Sequence, residues 1–148
     1  MKKIVLGILI GLTSVFLLTG CTNEIDKLIT TESDVKIENS NVTLKVREET
    51  LTNKGATFVL ENNRRDIIDY TLAYEIEAKR DNKWYKLGII NEFIEEIYEV
   101  DAKSTDQIIV DWEKTYLKLP KGEYRLVKEI SVPSTLELFY VAGEFTIK

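Results

Sequence analysis

The sequence predicts an all-β protein, an antiparallel sandwich or barrel of seven to eight strands. Three observations carry that prediction. Beyond residue 41, apolar and polar residues alternate at period two. Turn residues interrupt the alternation at intervals near ten residues. No stretch sustains the period of a long helix, and no internal repeat or low-complexity segment appears.

Residues 22–41 are polar and aperiodic. They read as a tether, with a short strand at 35–37. As flexible coil, about 20 residues reach near 25 Å. Val42, Leu44 and Val46 then alternate with Thr43, Lys45 and Arg47, which gives one apolar and one wet face. Asn53-Lys54-Gly55 marks a turn before Ala56, Phe58 and Leu60. The turn-rich stretch 62–69 precedes the longest predicted strand, with Tyr70, Leu72, Tyr74, Ile76 and Ala78 on one face. Glu75, Glu77 and Lys79 fall on the other. Asp81-Asn82 turns the chain into Lys83–Leu87. Residues 91–100 fit a helix or an irregular strand, and their β-patterned neighbours favour the strand. Ile108, Val110 and Trp112 alternate next; a Pro120–Gly122 turn opens a strand at Tyr124. The last run, 136–147, is β-rich and is interrupted by Gly143, read as a bulge.

The N-terminus has a different grammar. Lys2 and Lys3 precede fifteen uncharged, mostly apolar residues, 4–18. That is short of the roughly 20 needed to span a bilayer as a helix, and has the form of a secretory leader. Leu18-Thr19-Gly20-Cys21 resembles the bacterial lipobox at every position. The resemblance implies cleavage between Gly20 and Cys21, and a diacylglyceryl group on the Cys21 sulfur. Two acyl chains suit the physics, because one chain alone holds only marginally. The plain alternative is an uncleaved anchor with an idle thiol.

Two further features resemble immunoglobulin-type sandwiches. Leu119-Pro120-Lys121-Gly122-Glu123-Tyr124 is similar to a tyrosine corner, in which the phenol bonds backbone just upstream. The segments 55–62, Trp84-Tyr85, Asp111-Trp112 and 122–125 together resemble a bacterial Ig-like domain found in small Firmicutes lipoproteins. The implied organisation is a signal peptide over 1–20, a lipidated Cys and tether over 21–40, and an Ig-like sandwich over 41–148. Such a domain lacks the antibody cysteine pair here, so buried aromatics are expected to fill that space. The fold alone implies no single activity.

Composition narrows the chemistry. The leader holds two of the 20 Lys and Arg and none of the 25 Asp and Glu, so the remaining 128 residues carry a formal charge of −7. No basic stripe suggests nucleic acid as a partner, and an acidic body gains little from anionic lipid. With one cysteine and no histidine, disulfides, Ser-His-Asp and Cys-His catalysis and histidine zinc sites are closed. No cofactor motif appears, and no metal site or catalytic residue is expected. Glu92, Glu95, Glu96, Glu99 and Asp101 form an acidic run without a calcium-loop pattern, and read as a solvated face. Trp112 reads as core, whereas Trp84 is open between core and an exposed patch with Tyr85, Phe139 and Tyr140. Arg64 and Arg65 read as solvated turn residues. The functional expectation is a non-enzymatic module anchored to the extracytoplasmic face of a cell membrane through diacylglyceryl-Cys21, with the composition of a Gram-positive source. It would engage an envelope protein, peptide or polymer. The alternative is a small-molecule or Ca-binding sensor or carrier.

Overall fold

The computed structural model describes residues 24–38, 40–93 and 95–148. Gly20 and Cys21, and the cleavage and lipidation expected there, lie outside the described residues. Among the described residues ten strands form two antiparallel sheets, and no helix is long and apolar enough to cross a membrane. The smaller sheet joins β2 (Val42–Val46), β3 (Gly55–Asn62) and β8 (Thr105–Asp111), with β3 in the centre. The larger has seven strands: β1 (Ile29–Glu32), β4 (Ile68–Thr71), β5 (Glu75–Arg80), β6 (Lys83–Leu87), β7 (Ile97–Val100), β9 (Gly122–Val132) and β10 (Glu137–Ile147). β9 is its axis. β10 pairs along one side of β9 for the whole length, while β5 and β4 share the other side at opposite ends. β6 and β1 extend the sheet beyond β5, and β7 extends it beyond β4.

The period-two faces place the core as the sequence predicts. Leu44 sits beside Leu60, and Phe58 beside Ile108, and all four are buried toward the larger sheet. Phe145 occupies the centre. It stacks on Trp112 with centroids 5.0 Å apart and on Tyr124 at 5.6 Å, and meets the edge of Phe58 at 5.9 Å. These aromatic contacts fill the middle of the sandwich without a disulfide. The Tyr124 hydroxyl donates to the Pro120 carbonyl at 2.7 Å, tying the start of β9 to the turn that precedes it.

The expected seven to eight strands become ten for local reasons. The segment read as a tether is not free from Glu24 onward. A 3-10 turn over Glu24–Lys27 buries Ile25, and β1 pairs with β6. At 35–37 there is one bridge, from Ile37 to Tyr140, and no strand. The long strand predicted from Tyr70 is split into β4 and β5. Tyr70 lies opposite Ile130 but Glu75 opposite Val127, so two extra residues are accommodated between them. That bulge turns Leu72 outward. Only Ile97–Val100 of the run 91–100 is strand. A four-residue helix, α1 (Glu113–Tyr116), follows Trp112 unannounced by any sequence period.

Gly143 makes no bulge. The β9–β10 register runs unbroken past it, with Gly143 opposite Leu126. Its role is steric: a Cβ there would stand 3.0 Å from two Phe58 ring carbons and 3.1 Å from the Leu44 carbonyl oxygen. Because Phe58 is fully buried, the ring has little room to yield. Gly143→Val is expected to lower stability by about 1–3 kcal/mol, the usual cost of overpacking. Chemical denaturation measures this, and an unchanged midpoint would contradict the steric role.

Candidate functional site

The larger sheet has an outer face, and its two halves differ. Over the half nearer Gly122, residues 33–37 cross from β1 at one edge to β10 at the other. Ser33 N–H bonds the Trp84 carbonyl, and Glu38 N–H reaches the Tyr140 carbonyl at 3.4 Å. Beneath this strap the Ser33 hydroxyl donates to Glu77 at 2.5 Å. Glu77, wholly buried, also accepts from Arg125 Nε at 2.5 Å, and the Trp84 ring lies 4.7 Å from that guanidinium. A buried pair of this kind tolerates poorly the loss of either partner. Trp84 is therefore a half-buried cover over Arg125. Neither the pair nor its burial is signalled by the alternation, which placed Glu77 on the wet face.

The other half is open, and four strands meet there. Register places Leu138 beside Ser131, Ser131 beside Asp69, and Asp69 beside Glu99. In the next row Tyr140 lies beside Glu129 and Thr71 beside Ile97. A cleft of about 110 Å³ runs between, lined by Asp69, Thr71, Ile97, Glu129, Ser131 and Leu138. Its apolar walls face solvent: Ile97 is 69% exposed and Leu138 63%. On its floor Asp69 Oδ1 is buried with no hydrogen-bond partner among the described residues. Glu129 accepts from the Tyr140 hydroxyl at 3.0 Å. Leu136, 87% exposed, stands at the adjoining hairpin in the left-handed region with φ 60°. The cleft is far smaller than the roughly 300–1,000 Å³ of sites that enclose small molecules. It is a shallow hollow on the sheet surface.

Buried polar groups hold this half in shape. Lys128 lies under the cleft and is only 1% exposed. Its amine donates to the carbonyls of Thr71 and Ala73, which the bulge between β4 and β5 turns toward it, and it lies over the Tyr70 ring. Tyr70 in turn donates to Asp106 at 2.6 Å. At the end of the sandwich Asn62, fully buried, donates to the carbonyls of Asp66, Val100 and Asp101. Its side-chain oxygen accepts from Arg64 N–H. Arg64 is no free turn residue. It pairs with Glu137 at 2.6 Å and covers Phe139, whereas Arg65 is exposed.

The other residues weighed from sequence fall elsewhere. Trp112 and Phe139 are core, and Tyr140 is on the outer face. Glu92, Glu95, Glu96, Glu99 and Asp101 are exposed, and no three acidic groups converge as metal ligands among the described residues. Larger hollows, of about 600 and 360 Å³, open toward the Gly122 end of the sandwich. Lys128 and the leucine and isoleucine walls had no motif to announce them; they come together only through register.

Burial pushes the Lys128 amine down to about 8 from its ordinary 10.5. Between these values the unfolded chain holds a proton that the folded chain has released, so stability rises with pH across that window. Burial raises Tyr74 to about 12 and also raises Tyr70, Tyr116 and Tyr124. Unfolded tyrosines ionise near 10 while these stay protonated, which lowers stability as pH climbs further. Denaturation midpoints are expected to rise from pH 8 toward 10 and then fall. Lys128→Met should remove the rise, and a rise that survives this change would contradict the assignment.

The sandwich also has a counterpart among known sequences. No curated protein matches the chain. A family model described as Bacterial Ig-like domain matches residues 38–146, which takes in both sheets from β2 to β10 and the turn held by Tyr124. The match covers well over half of the 148 residues, and the chain belongs to the family of bacterial Ig-like domains.

Proposed function

We propose that this chain is a non-enzymatic interaction module, held at the extracytoplasmic face of the cell membrane by a diacylglyceryl group on Cys21. In this reading it presents the cleft between Leu138 and Ile97 to an envelope protein, peptide or polymer. The observation that carries the binding role is the exposed apolar walls over an acidic floor. Large apolar side chains gathered on one face are costly to leave in water and are typical of contact surfaces. Family membership is consistent with a binding role and names no partner.

The arrangement along the sandwich agrees with the anchor. Glu24, three residues after Cys21, shares a hollow with Pro120, Lys121 and Lys148, at the Gly122 end of β9. Glu129 and Ser131 of the cleft lie seven and nine residues along the same strand. At about 3.3 Å per residue that separation exceeds about 20 Å, so an anchor at one end leaves the cleft clear of lipid.

Two experiments test the reading. Cys21→Ala is expected to leave the precursor unprocessed or to release the protein from membranes; unchanged processing and retention, read by fractionation and mass, would sink the anchor. Detergent-extracted full-length protein, cross-linked in its own envelope, should capture a partner that the doubly altered Ile97→Arg, Leu138→Arg protein loses. Equal capture by both would remove the cleft from the binding role. Both positions are solvent-exposed, so the fold should tolerate the changes, and matching melting curves check this.

A further inference from the structure

We infer that the Gly122 end of the sandwich is a headgroup-contact surface, on which Lys27, Lys118, Lys121 and Lys148 meet the phosphates of the bilayer. The inference rests on the anchoring proposed above and goes beyond it, because an anchor alone sets no orientation.

Chain length makes the first argument. Only Thr22 and Asn23 separate Cys21 from Glu24, and Ile25 is already buried against Gly122. Three residues at full extension span about 10 Å. The headgroup layer on each side of a bilayer is about 5–8 Å thick. A lipidated Cys21 therefore leaves no slack to lift this end of the domain off the lipid surface.

Charge makes the second. Lys27 and Lys118 line one hollow with Glu24, Leu28 and Pro120; Lys121 and Lys148 line the adjoining one with Glu24 and Glu48. Lys118 has a distant partner, Glu113 at 3.8 Å. Among the described residues Lys27, Lys121 and Lys148 have no carboxylate partner; Lys36, Lys45 and Lys103 likewise have none, but the first three gather around the two hollows at one end. In a body of formal charge −7, which an anionic leaflet repels, free lysines stand around the point of attachment. Leu117, 50% exposed, lies beside Lys118 and adds an apolar contact of the interfacial type. With this end on the lipid, the cleft and the hairpin at Leu136 point away from it.

Lysine labelling tests the inference. Full-length acylated protein is placed in phosphatidylcholine–phosphatidylglycerol vesicles and, separately, in uncharged maltoside micelles. An amine-acylating reagent is added, and labelling rates are read residue by residue by mass spectrometry. Lys27, Lys118, Lys121 and Lys148 are expected to label several-fold more slowly in vesicles, with Lys45 and Lys103 unchanged. The protection should weaken at about 1 M salt, where the Debye length falls to about 3 Å. Equal rates in vesicles and micelles, or protection indifferent to salt, would overturn the contact. Sedimentation keeps the two proposals apart. Protein that fails to pellet with vesicles defeats the anchor and this inference with it, while pelleted protein with unprotected lysines defeats this inference alone.

Discussion

Strand β9 is buried on both faces from Tyr124 to Lys128, and the rest of the molecule is arranged around that burial. A central strand in a sandwich normally has one face in the core and one in water. Here the inner face packs Tyr124 and Leu126 against the smaller sheet, while the outer face is roofed by residues 33–37. Charged groups on the outer face must then find partners, because a lone buried charge is costly. Arg125 finds Glu77, which is also bonded by Ser33 of the roof itself. The strap and the ion pair thus depend on each other.

The same strand accounts for the open half. Where the strap leaves the sheet, β4 replaces β5 beside β9, and two extra residues are absorbed at the change. The bulge would strand the carbonyls of Thr71 and Ala73, and the Lys128 amine satisfies both. It does so without a carboxylate partner, so its proton is weakly held. Above this buried amine lies the acidic, apolar-walled cleft. One half of the face is covered by residues 33–37, and the other is exposed to solvent.

Much of this was legible in the sequence where a residue's own neighbours decide its fate. Val42, Leu44, Phe58, Leu60, Ile108 and Val110 announce their burial by alternation. Tyr124 announces its bond to Pro120 through the turn that precedes it. Glu77 and Lys128 were not legible, since a charged residue in an alternating strand reads as solvated unless another segment covers it. Ile97 and Leu138 stand 41 positions apart and become walls of one cleft only through two intervening strands. Gly143 looked like a break in a strand, yet its smallness serves a ring from the opposite sheet.

By itself the sequence determined the β character, the inward faces and the absence of histidine chemistry. Each is a property of short windows or of composition. The tertiary structure decided that residues 24–38 are part of the fold, that the long central run is two strands, and that an acidic cleft lies at the end away from Glu24. These depend on which strands lie side by side. Period-two alternation says which way a side chain points, and says nothing of what is waiting there.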